Sequence, residues 1–308
     1  MPQTIIGCDL SRSWLDVHAL PAGKAFRVAN APADLAAWLA SLGPDALVVF
    51  EATSGCDRAL VEALSARGIA YVRVNPRQAR AFARATGVLA KTDRVDARLL
   101  AQMGRTLEPE ATTPPSPDRV RLADLLRRRS QLVEMRKAEK VRRHDAGQPD
   151  LLADIEEMIA LLTRRIETLD QQIADLIAQS PELSEQADLL SAVPGIGPTV
   201  LATLLGELPE LGTRCRRRIA SLAGLAPHAR ESGTWRGKRR IWGGRRKVRE
   251  ALYMAALTAS RRIPQLAAMR ERMKAAGKAP KTILIAAARQ LLVILNAMMR
   301  SKQPIRIV

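Results

Sequence analysis

The sequence predicts an α/β domain followed by a mainly helical remainder, and three observations carry that expectation. Short apolar runs alternate with helical patterns over residues 4–103, a long helical stretch with a single break follows, and the last third is strongly basic. Residues 4–20, TIIGCDLSRSWLDVHAL, hold two strand-like runs separated by a polar turn, and KAFRVAN at 24–30 adds a third. Three short neighbouring strands read as an antiparallel meander. A helical pattern from Pro32 to Leu42 precedes the buried-strand run ALVVFE at 46–51. A second helix runs from about Asp57 to Arg67, then come the strand AYVRV at 70–74 and a helix opening at Pro76. The order β-β-β-α-β-α-β-α is that of a ribonuclease-H-like fold, with the first three strands antiparallel and the later ones joined through helices. A further helix, DRVDARLLAQM at 93–103, is expected to pack across this sheet, and the Pro-rich segment Glu108–Pro117 reads as a linker. The first domain is placed at residues 1–110.

From Asp118 to Ser180 the pattern is helical except for DAGQPD at 145–150, which supplies Gly and Pro for a turn. In the second of these helices Leu152, Ile155, Ile159, Leu162, Ile166, Leu169, Ile173 and Leu176 alternate steps of three and four, a sustained heptad seam. The first helix loses the pattern beyond Val133, where Arg136, Lys137, Lys140, Arg142 and Arg143 dominate. Residues 118–180 therefore read as a coiled-coil helical hairpin with a basic tip, an assembly element or an arm along a nucleic acid. Residues 187–308 form a basic, mainly helical C-terminal domain. It opens on LLSAVPGIGPTVLATLLGEL at 189–208, a helix-hairpin-helix-like motif in which Gly195 and Gly197 free backbone N–H groups to meet a phosphate. A plain helix–helix turn explains the same spacing.

Charge is divided unevenly. Residues 1–190 hold 25 Lys+Arg against 26 Asp+Glu, whereas residues 191–308 hold 24 against 5, so the net +18 belongs to the last third. Such a segregated excess implies a polyanionic partner, and nucleic acid suits it best. Cys8, Cys56 and Cys215 are odd in number and far apart, which speaks against a disulfide framework or a structural zinc site. The N-terminus lacks the features of a signal peptide, and the apolar stretch Thr282–Met299, interrupted by Arg289, Gln290 and Asn296, is judged too short for a bilayer. No membrane is expected; the chain reads as cytoplasmic, and nucleoid-associated through its nucleic-acid partner.

The fold reading demands acidic residues at one end of the central strands. Asp9 interrupts the apolar IGCDLS, Glu51 ends VVFE, and a charge in a strand that should be buried is costly unless paired or coordinating. Asp93 and Asp96, three apart, share one helix face pointing toward the same place. Asp93 could equally be an N-cap, and both acids suit a first helical turn. Four converging carboxylates repel one another without cations, and oxygen-only ligation favours Mg²⁺ or Mn²⁺, two of which can flank a phosphate. Asp16, Asp57 and Glu62 read as surface charge.

The tract 214–249, RCRRRIASLAGLAPHARESGTWRGKRRIWGGRRKVR, concentrates positive charge beside Trp235 and Trp242. Arginine and tryptophan together suit phosphate contact and stacking on unpaired bases, although the tryptophans also suit a core. The candidate contacts are Gly195, Gly197, Arg216, Arg217, Arg218, Arg230, Trp235, Arg236, Lys238, Arg239, Arg240, Arg245, Arg246 and Lys247. Ser232, beside Gly233 and surrounded by guanidinium groups, is a candidate nucleophile toward a phosphate; Ser221 and Ser260 remain alternatives. A GxxxxGK[ST] loop is absent from the sequence, so nucleotide hydrolysis is not indicated.

Asp9, Glu51 in FEATSG, Asp93 and Asp96 in KTDRVDARLL, the helical hairpin, VPGIGP and LAGLAPHARESGTWRG resemble, in that order, the DEDD transposases of the bacterial insertion-sequence one-ten family. That family is related to the Piv-type DNA invertases and includes bridge-RNA-guided (seek-RNA-guided) recombinases. The resemblance spans nearly the whole chain. It implies a RuvC-like domain with Asp9, Glu51, Asp93 and Asp96 as Mg²⁺ ligands, and Ser232 as the nucleophile of a covalent phosphoserine intermediate. It also implies target and donor DNA as substrates, a structured noncoding guide RNA as partner, and a homo-oligomer, dimer or tetramer, in which the hairpin is an assembly element. The sequence leaves two other readings: a protein-only invertase or junction-resolving nuclease, and a non-catalytic nucleic-acid-binding protein.

Overall fold

The structure is a computed structural model and describes residues 4–52, 55–88, 92–229, 231–237 and 239–305. The chain divides into two units, one ending at Pro114 and one beginning at Pro115.

In the first unit the strands are β1 (Thr4–Leu10), β2 (Trp14–Leu20), β3 (Lys24–Ala29), β4 (Ala46–Glu51) and β5 (Ala70–Val74). They form one sheet in the order β3-β2-β1-β4-β5, with β1, β2 and β3 antiparallel and β1, β4 and β5 parallel. The helices α1 (Pro32–Ala40), α2 (Arg58–Ala66), α3 (Pro76–Ala85) and α4 (Asp93–Leu107) cover both faces. The element order expected from the sequence is borne out.

Strand alternation divides the core. Ile6, Cys8, Val48, Phe50 and Tyr71 pack with Leu35 and Leu39 of α1 and Leu60 and Leu64 of α2, while Ile5, Leu47, Val49, Val72 and Val74 pack with Ala79 of α3 and Leu100 and Met103 of α4. Phe50 and Tyr71 stack at 5.7 Å, and each fully buried side chain of this size contributes about 2 kcal/mol. Helix α4 lies across β1, β2 and β4. It ends where Glu108 adopts a left-handed conformation, φ 42°, and residues 109–116 carry no regular structure.

The second unit holds the hairpin α5 (Pro117–Asp145) and α6 (Pro149–Gln179), then α7 (Pro181–Ser191), α8 (Pro198–Glu207), α9 (Arg216–Leu222), α10 (Arg246–Arg262), α11 (Pro264–Ala275) and α12 (Pro280–Ser301). Among the described residues between α9 and α10 lie four two-residue strands: β6 (Pro227–His228), β7 (Glu231–Ser232), β8 (Trp235–Arg236) and β9 (Arg240–Ile241). Leu252, Ala255 and Ala259 of α10, Leu291, Leu292 and Leu295 of α12, Leu204 and Leu205 of α8, and Leu122 and Leu126 at the base of α5 share one core. Arg119 ties that base down, donating to Glu182 at 2.8 Å, Gln186 at 2.6 Å and the Leu205 carbonyl at 2.7 Å.

The heptad seam is buried at Leu162, Ile166 and Ile173 and half-buried at Leu152, Ile155, Ile159, Leu169 and Leu176. Leu132 meets Leu162 and Ile166 in a small separate cluster, with Val133 and Leu169 packed against it.

One expectation needs correction. At 22 residues α12 is long and apolar enough to cross a membrane, where the sequence reading judged it too short. Eight of its residues are nevertheless buried, and six of them, Ala287, Ala288, Leu291, Leu292, Leu295 and Met298, belong to the core of the unit. Arg289, Gln290 and Asn296 do not break it, because Asn296 is satisfied internally, accepting from the Gly212 amide and donating to the Arg214 carbonyl.

Candidate functional site: an acidic cluster and an exposed serine

Strands β1 and β4 run parallel with Cys8 opposite Phe50, so the next residues along, Asp9 and Glu51, are neighbours. Cys8 and Phe50 face α1 and α2; alternation therefore turns Asp9 and Glu51 to the face that α4 covers. Helix α4 approaches closely because Gly7 has no side chain: a Cβ there would collide with the Ala97 carbonyl and the Ala101 amide nitrogen. Gly104 allows the same approach further along, where a Cβ would come within 2.8 Å of Val49 and 2.9 Å of Ile5. One turn before Ala97, the chain places Asp93 and Asp96 in the first turn of α4.

The N-cap of α4 is Thr92, whose hydroxyl accepts from the Val95 amide at 3.3 Å. Capping is therefore not the role of Asp93. Burial, followed by the charges of Asp96, Asp93 and Glu51, pushes the Asp9 carboxyl up from 3.8 to about 6. The charges of the three other acids predicted from sequence thus all reach Asp9. Among the described residues no three His, Cys, Asp or Glu side chains are gathered as a metal-holding group. The Cys8 thiol beside them is pushed well above its usual range, first by burial and then by Asp9.

Two carboxylates were misread as surface charge. Asp16 is buried, 8% exposed, and lies directly across the β1–β2 ladder from Asp9. Its charge is met by Arg27 of β3, which donates from Nη2 at 2.9 Å and 3.1 Å and from Nε at 3.3 Å. Asp57, also buried, pairs with Arg73 of β5 at 2.6 Å. Glu62 is exposed and pairs with Arg58, as a surface acid should. The available signal for Asp16 was the one that marked Asp9: a charge inside the apolar strand run WLDVHAL.

In the second unit, two short antiparallel pairs, one nested within the other in sequence, form a finger. Pro227–His228 pairs with Arg240–Ile241, and nearer the tip Glu231–Ser232 pairs with Trp235–Arg236. Gly233 turns the tip with φ 55°, a conformation that favours glycine. Ser232 is exposed at this tip, opposite Trp235, which is 60% exposed. The tryptophans are thus not core residues; Trp242 is exposed too, its ring 5.4 Å from that of His228. Of the alternative serines, Ser260 is 1% exposed inside α10, whereas Ser221 is exposed on α9. A phosphate cannot reach the first.

The predicted basic residues differ in their settings. Arg245 makes a two-pronged pair with Glu210, its Nη2 donating at 2.6 Å, and Lys247 meets Glu207 at 3.0 Å, Arg246 meets Glu250 at 2.7 Å, and Arg239 meets Glu231 at 3.6 Å. Arg216, Arg217 and Arg218 are exposed on the first turn of α9, and Arg236 and Arg240 are exposed on the finger. Arg230 and Lys238 lie outside the described residues. Gly195, at φ 97°, abuts the backbone of α10, where a Cβ would meet the Ala255 carbonyl; Gly197 opens to solvent. Gly195 therefore has a packing reason of its own.

Two family descriptions match this chain: a transposase of the DEDD IS110 type over residues 6–146, and transposase of the IS116/IS110/IS902 family over residues 187–274. The pilin gene-inverting protein of Moraxella bovis is 35% identical over 239 residues, covering 75% of this chain and 73% of its own length. Its counterpart in Moraxella lacunata is similar to the same extent. The insertion element IS110 uncharacterized 43.6 kDa protein of Streptomyces coelicolor is 32% identical over 135 residues, covering 43% of this chain and 32% of its own length.

Proposed function

The chain belongs to the IS116/IS110/IS902 family of transposases, enzymes of DNA recombination, and from that premise we propose that it is an RNA-guided recombinase acting through a phosphoserine. The observation that carries the catalytic reading is the electrostatic meeting of Asp9 with Glu51, Asp93 and Asp96 at the end of the two central strands. The strand order β3-β2-β1-β4-β5 supports a ribonuclease-H-like, RuvC-like domain around them. An all-oxygen donor set whose members repel one another suits a hard divalent cation, Mg²⁺ above all. Held there, such a cation supplies positive charge against the charge developing on a phosphate.

Ser232 is the nucleophile in this reading, supported by its exposure at a tip whose strands also carry the exposed Arg236 and Arg240. Its oxygen bonds to phosphorus as a sugar-oxygen–phosphorus bond breaks, and its proton passes to the released sugar hydroxyl. A second sugar hydroxyl then reverses the exchange, restoring the serine and joining a new strand. The bond count is conserved, so no ATP is required. Trp235 stacks on a base next to that phosphate, and Arg216, Arg217, Arg218, Arg236 and Arg240 contact the backbone.

Denaturing gels of the protein mixed with DNA carrying the element's ends test the serine. A covalent adduct forms with the wild type and is lost in Ser232→Ala; an adduct surviving in that variant sinks the assignment. Copurified RNA tests the guide, which is expected as one discrete species with segments matching target and donor. The pilin gene-inverting relatives favour DNA inversion as a second reading, in which the protein itself would select the site. Heterogeneous RNA or none selects it.

A further inference from the structure

Four charged side chains form a row across the sheet. Arg27 of β3 is in register with Asp16 of β2, Asp16 with Asp9 of β1, and Glu51 of β4 lies one residue past the Cys8–Phe50 pair. All four point to the face covered by α4, since alternate residues such as Phe26 turn the other way, where Phe26 meets Trp38 of α1. The row reads plus, minus, minus, minus. Asp16 is the most buried of its carboxylates, and it holds Arg27 with both oxygens.

That grip fixes a guanidinium at the rim of the acidic cluster. Only Nε and Nη2 are used in the pair, the side chain is 52% exposed, and the charge of Asp93 also acts on it. A planar guanidinium anchored on one edge presents its other edge in a set direction, the arrangement that recognises a phosphate oxygen. β3 is the edge of the sheet, so a strand of nucleic acid can pass beside it without displacing another strand.

We propose that Arg27, oriented by Asp16, is the phosphate-anchoring residue of this site, gripping a backbone phosphate of the DNA strand whose neighbouring phosphate meets the carboxylates. This rests on the acidic cluster being the reaction centre. The interaction explains why an anion is buried directly across from Asp9, where like charges in register are unfavourable. Asp16 acts through Arg27 and is a positioning residue.

The test measures binding of the full-length protein to an oligonucleotide carrying the element's end, in EDTA, as a function of salt, and strand cleavage in Mg²⁺. Arg27→Gln is expected to raise Kd and KM about tenfold and to make the slope of log affinity against log salt shallower by about 0.7–0.9. Asp16→Asn with Arg27→Gln removes both charges together and keeps a neutral hydrogen-bonded pair, so it folds even if Asp16→Asn alone does not. The proposal expects this double variant to bind as weakly as Arg27→Gln. Wild-type affinity and salt slope in the double variant would instead assign the pair a structural role, and a fall in kcat at unchanged KM would overturn the proposal equally. Cleavage retained in Asp9→Asn strikes at the reaction centre itself, a result independent of the EDTA binding data.

Discussion

Gly7 of β1 and Ala97 of α4 meet backbone to backbone, with no space between them for a Cβ. The contact is far from chemical, yet it fixes how near Asp93 and Asp96 come to Asp9, because all three sit one turn or less beyond it. Gly7→Ala is expected to push α4 off the sheet, lowering stability by about 1–3 kcal/mol through overpacking. Recombination should fall much further than thermal stability alone explains. Thermal unfolding beside a recombination assay checks this; full activity in Gly7→Ala would show that the helix position is not what assembles the acids.

The Asp9 carboxyl gives a pH dependence with a definite sign. Its folded value, about 6, lies above the ordinary 3.8, so folding favours the protonated form. The corresponding stability is present below about pH 4 and is lost as pH rises through 6. In EDTA, Asp9→Asn should therefore become increasingly more heat-stable than wild type across that interval, while being inactive in recombination. Mg²⁺ at pH 7.5 should narrow the gap by stabilising the wild type alone. Parallel melting curves at every pH would remove the electrostatic account of the cluster.

The basic tract contains residues with two different duties. Burial alone would raise the Glu210 carboxyl, but hydrogen bonds and charge from Arg245 outweigh it and hold the group below its usual range. Arg245→Ala is expected to lower stability by about 1–2 kcal/mol, discounted for partial exposure, with little change in salt dependence. Arg216→Ala with Arg217→Ala should do the reverse, leaving the melting temperature in place and reducing the salt slope of DNA binding by about 2. Salt titrations of both variants separate the duties.

The sheet was legible because its signals are local. Short apolar runs marked the strands, and Asp9 and Glu51 stood out as charges within buried runs. Asp16 and Asp57 are legible only in three dimensions: strand register sets Arg27 of β3 across from Asp16, and the chain just before α2 brings Asp57 to Arg73 of β5. The packing role of Gly195 is invisible in the sequence because the helix it abuts lies some sixty residues further along the chain. The arginine tract had the same difficulty: counting charges is local, whereas Glu207 and Glu210, which occupy Lys247 and Arg245, lie on or just beyond α8. The exposed serine tip was legible through Ser-Gly, since glycine supplies the positive φ that such a turn needs.

The hairpin leads to the remaining prediction. Leu132, Leu162 and Ile166 close a small apolar cluster between α5 and α6, but toward the tip Met135, Val141, Leu151 and Met158 remain exposed, as does Leu161 beside the cluster. These exposed side chains lie beside the seam of α6, whose Leu152, Ile155 and Ile159 are half-buried. A second copy of the hairpin would cover these side chains, and the acidic character of α6 against the basic character of α5 favours antiparallel exchange of faces. The wild type is accordingly expected to sediment as a dimer or tetramer. Met158→Glu with Leu161→Glu should shift it toward monomer while leaving the melting temperature of the C-terminal core nearly unchanged, since neither residue belongs to that core. Sedimentation of wild type as a monomer at micromolar concentration, or an oligomer indifferent to both substitutions, would place the assembly surface elsewhere.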